Sequence, residues 1–178
     1  GLTKFGAGQL QIHSINPGIG GPVTLHEGTT YIRVPYSMSG SPVGQVLNGQ
    51  DITVNSGTLN LQSVGANAAG TASEIASNPN SAQSRLDGTI FIRGDAALRV
   101  NGTGQYVQIT DLTIGNSAGS AAMNGNSTIT LNLQSGIWVR GTTTLAPEAV
   151  INGTFDGFSQ STLAGKVTGA GGLIKHGN

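Results

Sequence analysis

The chain has 178 residues, and its eight basic and eight acidic side chains cancel to a formal net charge of zero. With no long-range field to gather polyanions, nucleic acid and anionic membrane surfaces are excluded as partners. The lack of cysteine excludes disulfides, thiolate nucleophiles and zinc–thiolate sites.

Taken in chain order, the sequence offers short alternating runs with one apolar and one polar face: Leu10–Ile12, Val23–Leu25, Tyr31–Val34, Ile52–Val54, Leu59–Leu61, Ile90–Ile92, Leu98–Val100, Val107–Ile109, Leu112–Ile114, Ile129–Leu133, Ile137–Val139, Ala149–Ile151 and Leu173–Ile174. Period-two alternation over such short runs predicts strands whose partner positions carry Thr, Asn, Gln or Ser. In Leu59-Asn60-Leu61, for example, the leucines are expected inward and Asn60 outward. No sustained helical spacing of apolar residues occurs, and glycine recurs too often for long helices, so the fold class is all-β. Leu, Ile, Val and Phe number 43, enough for one domain with a real core. No apolar run approaches the roughly 20 residues that span a bilayer.

Between these runs lie Asn55-Ser56-Gly57, Asn101–Gly104, Gln134-Ser135-Gly136 and Asn152-Gly153, residues suited to left-handed corners. Strand–corner–strand units recur about every 20 to 24 residues and without two-residue hairpin turns, which favours a coil wound in one direction over a sandwich. Two segments interrupt this rhythm and are expected to project as loops, 65–87 and 115–127. The first has Asn78-Pro79-Asn80 at its centre and a helical turn around Ser73–Ala76. Eight or so coils at about 4.8 Å each predict a rod of roughly 40 Å.

The opening Gly1-Leu-Thr-Lys-Phe-Gly-Ala7 returns near the other end as Gly172-Leu-Ile-Lys-His-Gly-Asn178. With Gln9-Leu10-Gln11-Ile12, Val23-Thr-Leu25 and Glu27-Gly-Thr29, segment 1–30 resembles the passenger-associated transport repeat, also called the autotransporter-associated β-strand repeat. Pro17 to Gly21 departs from that motif, which has an aromatic residue followed by Gly and Thr. The resemblance implies a single-stranded right-handed parallel β-helix on an extracellular or cell-surface bacterial protein. The first residues lack a signal-peptide pattern and position 1 opens inside a motif, so the segment 1–178 is expected to be one unit of a longer repetitive chain.

The acids are Glu27, Asp51, Glu74, Asp87, Asp95, Asp111, Glu148 and Asp156. The near-equal spacings from Glu27 to Asp51 to Glu74, and again from Asp87 to Asp111, would stack carboxylates in columns if every coil had that length. A polysaccharide-acting enzyme needs such convergence. The preferred reading is scattered corner residues, because the 65–87 segment breaks the register. Glu27 and Asp51 are expected at exposed corners, and Asp87 and Asp95 as surface ion pairs with arginine.

His13, His26 and His176 are too far apart to suggest a ligand pair, and no nucleophile elbow or phosphate cradle occurs. No catalytic residue, metal or cofactor is therefore expected. Arg85, Arg93 and Arg99 form the one basic cluster, with Phe91 nearby, and are the candidate glycan or partner surface. The expectation is a non-enzymatic stalk, fibre or surface scaffold whose partners are other copies of itself end to end. An adhesin binding a glycan or protein through its loops is the second reading, and a polysaccharide enzyme the third.

Overall fold

The computed structural model describes residues 1–13, 19–35, 49–64, 85–94, 96–101, 105–115, 128–131, 135–139, 141–145, 150–153, 162–163, 165–169 and 174–176. These residues form strands β1 (Leu2–Lys4), β2 (Gln9–His13), β3 (Val23–Leu25), β4 (Thr29–Pro35), β5 (Ile52–Val54), β6 (Thr58–Val64), β7 (Arg85–Ile92) and β8 (Ala97–Asn101). They continue as β9 (Gln105–Ile114), β10 (Thr128–Leu131), β11 (Ser135–Val139), β12 (Thr143–Leu145), β13 (Val150–Gly153), β14 (Thr162–Leu163), β15 (Val167–Thr168) and β16 (Ile174–His176). Every regular element among the described residues is a strand, and the chain is all-β.

Two sheets hold the strands, and every pairing in them is parallel. The first runs β1-β3-β5-β7-β9, after which β9 pairs with both β11 and β12, β11 with β14, and β12 with β15. The second runs β2-β4-β6-β8-β10-β13-β16. As far as β10, successive strands alternate between the sheets, so each strand is paired with the one two places on. Parallel neighbours cannot be joined by a tight hairpin. Here the link from one strand to its partner passes through the other sheet.

Register between levels is kept along the strands except for one bulge in β7, between Leu86 and Thr89, where it pairs with β9. Leu2, Val23, Ile52, Ile90, Leu112, Thr143 and Val167 lie side by side across the first sheet. Seven levels at about 4.8 Å apart span roughly 29 Å, shorter than the sequence reading gave. The lengths of chain between these levels are unequal. The links from Leu2 to Val23, from Ile90 to Leu112 and from Thr143 to Val167 match the expected rhythm. Those from Val23 to Ile52, from Ile52 to Ile90 and from Leu112 to Thr143 are longer. The surplus falls between β4 and β5, between β6 and β7 and between β9 and β10. The last two coincide with the expected interruptions; the first has no counterpart among the expected loops. Residues 65–84 and 116–127, including Ser73–Ala76 and Asn78–Asn80, lie outside the described residues. Arg85, Leu86 and Asp87 belong to β7, so the expected loop end at 87 is too late.

Inward side chains make continuous apolar files. Val23, Ile52, Ile90 and Leu112 form one, and Leu25, Val54, Ile92, Ile114 and Leu145 a second. Leu86, Ile109 and Val139 form a third, on the part of β9 that pairs with β11. On the second sheet Ile12, Ile32 and Leu61 stack, as do Leu59 and Leu98. All are buried and belong to one core cluster. Burying each such side chain contributes about 1.5–3 kcal/mol, which drives short strands with few local contacts to stack.

Alternation identified Leu59 and Leu61 correctly, but Asn60 between them is only 4% exposed and is engaged in an interaction of its own. Thr30 and Thr143 are likewise buried, Thr143 in an otherwise apolar file.

The corner at Asn55-Ser56-Gly57 is as expected. Gly57 has φ 79°, Gly28 one level below has φ 70°, and a Cβ on Gly57 would run into the Gly28 backbone. The Thr58 amide donates to the Gly28 carbonyl and the Ala97 amide to the Gly57 carbonyl, each at 2.8 Å, so the corner is laddered like the strands. Two other expected corners are strand instead: Ser135-Gly136 opens β11 and Asn152-Gly153 ends β13. Both are paired with neighbouring levels, so small residues there continue the sheet.

The two copies of the terminal motif occupy different sheets. Leu2-Thr3-Lys4 pairs with β3 in the first sheet, whereas Ile174-Lys175-His176 pairs with β13 in the second. In the last level the position of Leu2 and Thr3 is held by Val167 and Thr168.

Candidate functional site

The face carrying the most chemistry is the outward side of the first sheet. Because each short strand turns its first and third residues inward, only the central residue and those beyond the inward pair reach this face. The central residues are Thr3, Thr24, Thr53, Phe91, Thr113, Thr144 and Thr168. The file is half-buried except at Thr3 and Thr168, which are exposed.

Two positions after the central file come Phe5, His26, Asn55 and Arg93 on the first four levels. Their amides continue the ladder: His26 donates to the Lys4 carbonyl, Asn55 to that of Leu25 and Arg93 to that of Val54. The Phe5 and His26 rings stack face to face, with centroids 4.5 Å apart and planes 8° from parallel. Phe5 remains 71% exposed. Arg93 lies over the Phe91 ring with its guanidinium carbon 5.4 Å from the centroid, a cation–π arrangement.

On the leading side of the same strands two acids act as caps. Asp51 accepts from the Thr89 amide at 2.8 Å and Asp111 from the Thr142 amide at 2.6 Å, each one level on. A charged acceptor on a backbone N–H is among the stronger hydrogen bonds available. In both cases a glycine precedes the donor, Gly88 or Gly141. A Cβ at Gly88 would strike the Gln50 carbonyl, and one at Gly141 the Asp111 carboxylate.

The arginine cluster read from sequence does not converge. Arg93 belongs to the face just described, whereas exposed Arg99 is on β8 in the second sheet, opposite Asn60 and Thr130. Arg85 pairs with Gln108 on the part of β7 before its bulge; its side chain, like that of Asp87, lies outside the described residues. Asp95 lies outside them too, and with it the expected arginine ion pairs of these acids. Glu27 and Asp51 are both exposed, as expected, and Lys4 reaches the Glu27 backbone carbonyl from the core.

The expected carboxylate columns do not form, because the links from Val23 to Ile52 and from Ile52 to Ile90 are both longer than the assumed coil. Asp51 and Asp111 instead flank Thr89 on one file, two levels and roughly 10 Å apart. Glu74, Glu148 and Asp156 lie outside the described residues, as do Arg140 and the side chain of Trp138; on β11 it is Val139 that is buried. His13 and His176 sit on the second sheet at its first and last levels.

No family model, curated protein or solved structure matches this chain. The likeness of segment 1–30 to the transport repeat therefore rests on the residues that carry it. Among the described residues no three metal-binding side chains come together, and no helix is long and apolar enough to cross a membrane.

Sequence reasoning missed one functional group in the core. Lys4 occupies the inward file of Leu25 and Val54, is 9% exposed, and donates from Nζ to the carbonyls of Gly6 and Glu27, each at 2.6 Å. Its stem continues the apolar file, and its ammonium serves two corner carbonyls. The inward parity of Leu2 and Lys4 was the available signal.

Proposed function

We propose that the chain is a right-handed parallel β-helix and serves as a non-enzymatic structural module, a stalk, fibre or surface scaffold of an extracellular bacterial protein of the autotransporter-like kind. The observation that carries this reading is the parallel pairing maintained across seven levels, with apolar files running through as many as five of them. Such a stack is extended by adding levels, since each level touches only its neighbours. The partner of such a module is a second copy placed end to end, stacked on it as one level stacks on the next.

The enzymatic reading has less support: Asp51 and Asp111 are both committed to backbone amides. Sizing and negative-stain electron microscopy of the purified chain over a wide range of concentration test the proposal. Linear end-to-end oligomers that lengthen with concentration are expected. A compact monomer at every concentration would overturn the assembly part of the reading.

A further inference from the structure

Among the described residues only two large apolar side chains are exposed, Phe5 at 71% and Val167 at 48%, and they stand on the first and last levels of the first sheet. We propose that these two levels are the halves of one interface. A second copy sets its Leu2-Thr3-Lys4 against Val167-Thr168-Gly169 as the next level, with Leu2 opposite Val167, Thr3 opposite Thr168 and Lys4 opposite Gly169. The proposal rests on the assembly reading above and gives that assembly a register.

Each of the three files finds a fitting neighbour in this register. Leu2 and Val167 belong to one inward file, and Leu2 is half-buried against the core cluster, so the contact continues the file and covers Val167. Thr3 and Thr168 are both exposed members of the outward file. The second inward file begins at Lys4 and passes Leu25, Val54, Ile92, Ile114 and Leu145 to Gly169. Gly169 is pressed on the level below, where a Cβ would strike the Leu145 carbonyl, so no side chain fills the file at that level. The apolar stem of Lys4 takes the vacant place. Its ammonium is already held by the Gly6 and Glu27 carbonyls of its own copy, so docking buries no unpaired charge.

The direction of the apolar surface selects a partner along the axis over one at the side. The Phe5 ring stacks on His26 of the next level with centroids 4.5 Å apart, close to the level spacing of about 4.8 Å. His26 therefore covers one face of the ring and the other is turned along the axis. Val167, a member of an inward file, is likewise reached along the axis. Such surfaces fit a body that carries the same files in the same strand direction, which is a second copy. The step from Leu2 to Gln9 has as many residues as that from Val167 to Ile174, so β2 of the second copy comes beside β16 when β1 comes beside β15.

The chain lacks cysteine, so a pair of introduced cysteines reads the register directly. With Thr3→Cys and Thr168→Cys in one chain, the two Cα atoms are about 4.8 Å apart between copies, within the span of a disulfide, and roughly 29 Å apart within a copy. Oxidation with copper–phenanthroline should give a ladder of covalent oligomers on non-reducing gels that dithiothreitol collapses. Thr24→Cys with Thr168→Cys sets the pair two levels, roughly 10 Å, apart and should give no ladder. Val167→Lys, in the chain without cysteine, should raise the concentration needed for assembly about tenfold, the scale of one valine side chain kept out of an apolar contact. No ladder from the Thr3 and Thr168 pair, an equal ladder from the Thr24 and Thr168 pair, or parental assembly by Val167→Lys would overturn the proposal. Filaments in electron micrographs without the ladder would overturn the register and leave the assembly reading standing, whereas absence of both would overturn both.

Discussion

The Asp111 carboxylate accepts the Thr142 amide at 2.6 Å, reaching across one level of the sheet. Asp51 repeats the relationship with Thr89. In both cases the side chain supplies the acceptor for the amide of the residue just before the next level's first inward position.

The first prediction follows from what each substitution leaves behind. Asp111→Asn keeps an acceptor oxygen and should change stability by less than about 1 kcal/mol, whereas Asp111→Ala leaves the Thr142 amide without its acceptor and should cost roughly 1–3 kcal/mol. Chemical denaturation of the two variants distinguishes them. Equal losses would show that charge, and not the acceptor, is what Asp111 contributes.

Gly141 is the companion residue. An added methyl would meet both the Asp111 carboxylate and the Thr110 carbonyl, so Gly141→Ala should cost about 1–3 kcal/mol. Because one of those two obstacles is a side chain, Gly141→Ala combined with Asp111→Ala should cost less than the sum of the single losses. A double-mutant cycle read by denaturant midpoints checks this; strict additivity would mean that the two residues do not meet.

For Lys4, Lys4→Met preserves the stem inside the apolar file and removes the ammonium that serves Gly6 and Glu27. We expect a loss of about 1–3 kcal/mol, and a larger one for Lys4→Ala, which also leaves space in the core. Hydrogen exchange at the amides of segments 2–4 and 23–28 should rise first. A Lys4→Met protein as stable as the parent would mean that the two carbonyls are well served by water.

The second sheet gives a graded test of side-chain direction. Leu61→Asp puts an unpartnered charge among Ile32 and its neighbours and should unfold the protein, costing more than about 4 kcal/mol. Asn60→Asp should lie between, because Asn60 is nearly enclosed despite its outward parity. Gln11→Asp, exposed on the same outward file, should shift stability by less than about 0.5 kcal/mol. Unfolding temperatures that fail to fall in this order would show that burial along the file is misassigned.

The strands were legible because alternation is a local property. Val23-Thr-Leu25 and Ile52-Thr-Val54 announce their inward residues within three positions. Which residues become neighbours was not legible, since it depends on the length of chain between levels. Even spacing placed Asp51 beneath Glu74 on paper, but the level after Ile52 is reached only at Ile90, and Asp51 meets Thr89. The arginines fail for the same reason. Arg93 and Arg99 are close in sequence and on different sheets, because a corner at Gly94 intervenes. Phe91 was noticed only as a neighbour of that cluster, and its place in a file of threonines needs the register to be seen. Lys4 was hidden by its own type, because a lysine in so short a strand reads as surface.

The unequal links between levels have a bearing on how such a chain can change. Since Ile52 and Ile90 are direct neighbours despite the long stretch of sequence between them, distance along the axis is counted in levels and is blind to the residues spent on the way. Doubling a flexible connection adds only about 0.6 kcal/mol of closure entropy, less than burying one methylene contributes. Insertion or loss of residues between β6 and β7 therefore leaves the axial gauge of the molecule unaltered. Within Ile52-Thr53-Val54 a single inserted residue would instead turn every following side chain of that strand to the opposite face. The connections are open to variation in length, and the short strands are the units of measurement whose number must be kept.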